Sequence, residues 1–184
     1  LVDSVQLEHA KALCRRDEQK VELSSLVRDT VICGSVVRIR KGFRGNLQIF
    51  ASDSVIVEEG AMLEYPSGIY VDSGERRPYV SLEKCSSVSG YVIVTSENSD
   101  SQLRYPSYVQ KSGATINGLL YVDGSCNIEG DIIGAAYVKD CYYYSNGNVY
   151  AGTLYDARVV RSDSLAFPIF LKGPYERKLI KKLH

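Results

Sequence analysis

Between Val31 and Ile69 the apolar residues count in sixes. Val31, Val37, Phe43, Ile49, Val55, Ala61 and Ser67 stand six apart, and two residues after each come Cys33, Ile39, Gly45, Ala51, Val57, Leu63 and Ile69. Twelve of these fourteen positions are apolar and none is charged, against 45% apolar for the whole chain. An i, i+2 apolar pair reads as one short strand with two side chains turned inward. The three residues between successive pairs, Gly34-Ser-Val or Glu64-Tyr-Pro for example, carry mostly corner chemistry. A short strand and a corner every six residues predict a parallel β-solenoid, with 18 residues to a coil if the section is triangular. Val31, Ile49 and Ser67 would then stack on one face, Val37 on Val55 and Phe43 on Ala61.

The pattern continues at coarser grain. Glycine opens similar strings at Gly68, Gly90, Gly118, Gly134 and Gly152, spaced 22, 28, 16 and 18 residues apart. Those spacings fit coils with loops inserted at the corners. The strict six returns between 114 and 134, with Ala114/Ile116, Leu120/Val122, Cys126/Ile128 and Ile132/Gly134 inward. Gly118, Gly124 and Gly130 mark corners there, and Asn146-Gly147 predicts another tight one. Polar runs from Asp72 to Pro78 and from Thr95 to Arg104 read as loops.

The resulting fold is all-β: a single-stranded right-handed parallel β-helix of roughly seven or eight coils. At the strand spacing of a sheet it would be a rod about 35–40 Å long. Residues 1–30 form an irregular lead-in or cap, and a helix over roughly 8–20 is a competing reading on residue propensity. Residues 31–164 form the β-helix, with loop insertions around 72–113. Residues 165–184 are an apolar and basic tail that either caps the last coil or offers a contact surface through Phe167, Phe170 and Leu171.

Lys plus Arg and Asp plus Glu number 22 each, so bulk charge argues for neither nucleic acid nor a membrane surface as partner. No apolar run approaches bilayer length. A chain opening on Leu1 without methionine reads as a processed piece, so any membrane attachment would run through a segment missing from it. The five cysteines, Cys14, Cys33, Cys85, Cys126 and Cys141, show no CxxC pair, so neither a disulfide framework nor a metal site is implied. Cys33 and Cys126 read instead as small buried hydrophobes.

Catalytic chemistry finds little support in the residues. Hexapeptide-repeat acyltransferases need a general-base histidine, and the only two histidines, His9 and His184, stand near the ends. Polysaccharide-cleaving β-helices group carboxylates on one face. Asp123, Asp131, Asp140 and Asp156 hold different places relative to the glycines and read as corner residues. No cofactor is expected, and no enzyme. The more informative signal is tyrosine, at fourteen residues with no tryptophan. Tyr121, Tyr137 and Tyr155 each lie three after a framing glycine, so their rings would stack up one outer side, with Tyr143 adding aromatic area. Such a face either stiffens the sheet or binds sugar rings or protein.

The strings Ile116-Asn-Gly-Leu-Leu-Tyr-Val-Asp-Gly, Cys126-Asn-Ile-Glu-Gly and Asp131-Ile-Ile-Gly resemble the bactofilins, bacterial polymer-forming right-handed β-helices. The chain is also similar to β-helical repeat domains of bacterial envelope proteins. The resemblance spans about 31–69 and 114–160. It implies a non-enzymatic structural or adhesive protein at the bacterial cell envelope, on the extracytoplasmic side or, as the alternative, in the cytoplasm, that acts by stacking or protein contact, self-association included. A carbohydrate-binding module using the tyrosine face is the alternative, with polysaccharide as partner. A loop-rich middle and extended ends depart from the regular bactofilin core.

Overall fold

The computed structural model describes residues 20–23, 28–74, 76–95 and 105–162, the side chains of Lys20–Leu23 excepted. Within them lie twelve strands and no helix. These are β1 (Lys20–Leu23), β2 (Thr30–Ile39), β3 (Arg44–Gly45), β4 (Leu47–Val57), β5 (Met62–Asp72) and β6 (Tyr79–Leu82), then β7 (Ser87–Thr95), β8 (Tyr108–Gln110), β9 (Thr115–Ile128), β10 (Asp131–Ser145), β11 (Asn148–Ala151) and β12 (Arg158–Val160). The lead-in before Lys20, with its competing helix, and the tail residues Phe167, Phe170 and Leu171 lie outside the described residues.

All pairings are parallel except the β10–β11 hairpin. The hydrogen-bonded path closes on itself through β4, β6, β8, β9, β7 and β5, a ring of six strands around the core. Long strands belong to more than one ladder, because β4 and β9 bend and pair with different neighbours along their length.

The register resolves the core into inward columns. One runs Ile32–Ile49–Ile69–Val92–Leu120–Ala136. A second runs Val37–Val55–Val80–Tyr108–Cys126–Cys141. A third runs Gly45–Leu63–Val88–Ile116–Ile132–Val159. Each column takes one side chain per layer, so alternate residues of a strand enter different columns and the residues between them face out. Removing water from an aliphatic side chain here contributes about 1.5–3 kcal/mol.

The six-residue count places its inward residues well from Val37 onward. All twelve positions from Val37 to Ile69 are buried, as are the eight positions expected between Ala114 and Gly134. The first pair is out of frame: Ile32 is buried, whereas Val31 and Cys33 are partly exposed. The cause is a register shift between Gly34 and Val36, where β4 carries one residue more than β2. Ser67 likewise does not stack on Ile49, which pairs with Ile69 instead. The corner Glu64-Tyr65-Pro66 is longer by two residues, and its Tyr65–Pro66 peptide is cis. Ser67 turns inward to accept from the Leu47 amide and donates to the Glu64 carbonyl, closing that corner.

Of the five framing glycines, three form a column. Gly90, Gly118 and Gly134 pair in register, at φ values of 144°, 146° and 151°. A Cβ on Gly118 would lie 1.8 Å from the Gly90 carbonyl oxygen, and one on Gly134 would lie 1.9 Å from that of Gly118. Gly68 sits one position out of that column, pairs with Tyr91, and leaves the space its ring occupies. Gly152 belongs to a turn after the hairpin. At Asn146-Gly147, with φ values of 50° and 79°, the chain reverses outright instead of turning a corner. Both residues adopt the positive φ that a two-residue hairpin turn requires.

A polar pair lies wholly inside. Gln110 is fully buried, accepts from the Tyr108 hydroxyl at 3.0 Å, and donates to the Ala114 and Asp131 carbonyls at 2.9 and 3.0 Å. Every bond replaces one that water would have made, so the burial carries little penalty.

Candidate functional site

The outward side chains of the first ladder make the candidate face. Each outward residue that follows an inward one stacks with its counterpart in the next layer: Phe50 on Tyr70, Tyr70 on Ile93, Ile93 on Tyr121, and Tyr121 on Tyr137. Phe50 and Tyr70 rings stand 6.0 Å apart at 51°. The ends of the column are its exposed members, Phe50 at 39%, Tyr121 at 41% and Tyr137 at 63%, while Tyr70 and Ile93 between them are half-buried. Polar groups flank it. The Tyr70 hydroxyl donates to Asp72 at 3.3 Å, and Lys139 stands 4.0 Å from Asp123. An apolar strip edged by carboxylates and a lysine suits ligands with flat apolar faces and hydroxyl rims.

The register confirms Tyr121 and Tyr137 as neighbours and separates Tyr155 from them. Tyr155 follows the hairpin, is 55% exposed, and stacks on Tyr143 with centroids 4.2 Å apart and planes at 20°. Tyr150 joins them across the hairpin at 6.2 Å from Tyr143. The single ladder expected from glycine spacing is thus two aromatic clusters, one along the sheet and one on the hairpin. The reason is the reversal at Asn146-Gly147, which takes the chain out of the ladder before Tyr155. Phe50 and Tyr70 escaped the sequence reading because they follow no framing glycine at the same interval. Their signal was available: like Tyr121 after Leu120 and Tyr137 after Ala136, each immediately follows an inward residue.

Three of the four carboxylates considered for catalysis have local roles. Asp131 accepts from Arg158 at 3.2 Å, Asp123 faces Lys139, and Asp156 adopts a positive φ of 54° beside the Ser112 hydroxyl. Among the described residues no group of three or more His, Cys, Asp or Glu is disposed to hold a metal ion. The strongest ion-pair arrangement is at a corner. Glu58 accepts from the Lys41 amide at 3.0 Å and from Arg38 and Arg40 at 3.1 Å each. The Lys41 amide, followed by the two guanidinium groups, holds the Glu58 carboxyl below its usual range against an opposing effect of burial. Tyr91, 2% exposed, donates to Gln48, and burial pushes its hydroxyl up to about 12.

The cysteines depart from expectation. Cys33 is disulfide-bonded, not a buried thiol, while Cys85, Cys126 and Cys141 are free. Cys126 is fully buried as expected.

Fold and face together define a closed, parallel all-β protein carrying an exposed aromatic strip. No family model, curated protein or solved structure matches the chain. Among the described residues no helix is long and apolar enough to cross a membrane.

Proposed function

We propose that this protein is a non-enzymatic scaffold: a right-handed parallel β-helix of the bacterial cell envelope that works through protein contacts, self-association included. The observation that carries the proposal is the state of the sheet ends. The ladder from β2 to β10 stops at Thr30–Ile32 on one side and Gly134–Val138 on the other, and no described strand pairs with either outer edge. Such edges accept a further strand by backbone hydrogen bonding. Two different edges on one molecule make a head-to-tail contact, which extends unless its rotation closes a ring. Right-handedness follows from the rule for parallel strands joined through a crossover. The Cys33 disulfide supports an oxidising, extracytoplasmic compartment.

Sedimentation over a hundredfold concentration range tests this reading. The expected result is mass that grows with concentration and is reduced in Ala135→Lys, which sets a charge on the β10 edge. A single monomer species throughout rules out the scaffold.

The strip Phe50–Tyr70–Tyr121–Tyr137 favours a second reading, a polysaccharide-binding face. Binding on a glycan array that disappears in the double variant Tyr121→Ala, Tyr137→Ala, with far-UV circular dichroism unchanged, would establish it. An array blank for the native protein dismisses it.

A further inference from the structure

The second inward column ends on two cysteines that are neighbours in register. Cys126 on β9 and Cys141 on β10 are register partners on adjacent parallel strands. The spacing of neighbouring strands, about 4.7–4.9 Å, lies inside the Cα separation that a disulfide bridges, about 4.4–6.8 Å. Their side chains turn to the same interior, where Cys141 packs against the core cluster that holds Cys126. Neither thiol has another sulfur partner, and both are free. The Cys126 thiol lies 3.2 Å from the Asp140 carbonyl, and the Cys141 thiol lies 3.6 Å from that of Thr153, just past the hairpin.

We propose that Cys126 and Cys141 are a redox modification site, closing to an intramolecular disulfide when the protein meets a low-molecular-weight disulfide. The two sulfurs differ in access. Cys126 is wholly enclosed beneath the last layer, whereas Cys141 is partly exposed on the final strand of the ladder. Cys141 therefore reacts first. Its thiolate attacks one sulfur of the oxidant, breaks that S–S bond, and releases one small thiol while forming a mixed disulfide. Cys126 then attacks the Cys141 sulfur, and its proton leaves with the second small thiol as that thiol is expelled. Two protein thiols are oxidised, and one small disulfide is reduced to two thiols. The neighbouring Cys141, with burial, raises the Cys126 thiol, and the neighbouring Cys126 lowers that of Cys141, in keeping with this order. The new bond would fasten β9 to the root of the β10–β11 hairpin, whose Tyr143 and Tyr150 form the second aromatic cluster.

Peptide mapping of the native full chain tests the site. The protein is incubated with oxidised glutathione near pH 8, quenched with an alkylating agent under denaturing conditions, digested without reduction and compared with an untreated sample. Expected are a peptide joining Cys126 to Cys141, loss of both residues from the alkylated pool, and no more than a glutathione adduct on Cys85. In Cys126→Ser, Cys141 is expected to stop at the glutathione adduct. In Cys141→Ser, Cys126 is expected to remain alkylatable. Recovery of Cys126 and Cys141 both alkylated from the treated native protein overturns the proposal. So does a bond from either to Cys85.

Discussion

At the scale of single residues, close backbone approach decides more than side-chain chemistry. Gly118 lies between two other glycines, and an added Cβ would meet the Gly90 carbonyl oxygen at a distance no real contact shows. Gly118→Ala is expected to destabilise by about 3 kcal/mol or more, read from urea unfolding. A loss under about 1 kcal/mol would mean the column is looser than its register states. Tyr91 carries the clearest alkaline signature. Folding favours its neutral phenol, so the folded pKa stands above the ordinary value of 10, at about 12. Its contribution is complete below pH 10 and is lost as pH rises through about 12. Stability curves of the native chain and Tyr91→Phe should converge in slope above pH 10 only if this is wrong; the native curve is expected to fall more steeply. Gly118 and Tyr121 could be picked out from the sequence because a glycine followed by a tyrosine three residues on recurs at Gly134 and Gly152. Cys33 could not, since a bonded half-cystine and a packed thiol leave the same mark in a string of letters.

At the scale of elements, the corners set the register. The count of six holds wherever a corner is three residues long, which is why Val37 through Leu63 were placed by arithmetic alone. It fails at Gly34 to Val36, where neighbouring strands differ by one residue, and at Glu64-Tyr65-Pro66, where the corner is longer. Nothing in side-chain polarity announces an extra residue at a bend, so periodicity could not foresee either shift. The hairpin was half legible: Asn146-Gly147 signalled a turn, but not that it would send Tyr155 onto Tyr143 and away from Tyr137. The corner held by Glu58 offers a test at low pH. Its folded pKa is depressed, so its contribution is present above the ordinary carboxylate value of 4.5 and is lost as pH falls through the folded value. Glu58→Gln is expected to cost about 1 kcal/mol at neutral pH and to shrink that acid-side loss. Thermal melts of both proteins from pH 7 to pH 3 check it, and parallel curves would discount the corner.

At the scale of the whole molecule, ring closure spreads the core over columns, each with a contribution from every layer. A cavity opened in the middle of a column has neighbours above and below that are held by their own ladders and collapse little. Val80→Ala, between Val55 and Tyr108, is therefore expected to lose about 1–3 kcal/mol. The same change at Val159, 45% exposed at the end of its column, should lose less than about 0.5 kcal/mol. Denaturant midpoints of the two variants decide whether depth along the column sets the cost. The all-β, parallel character was legible from apolar spacing because that spacing reports on which side chains share an interior. The aromatic strip was only partly so, since outward residues obey no such constraint.

The second column also takes unequal strides along the chain. Val37, Val55, Val80, Tyr108 and Cys126 are consecutive in it, although 18, 25, 28 and 18 residues separate them. The length of chain between successive residues of the column thus varies while the interior stays in step. Foreign peptide spliced between Asp72 and Tyr79 should be carried as a passenger, since doubling a loop costs only about 0.6 kcal/mol. The bends, more than the strands, are where this kind of molecule would take on new cargo.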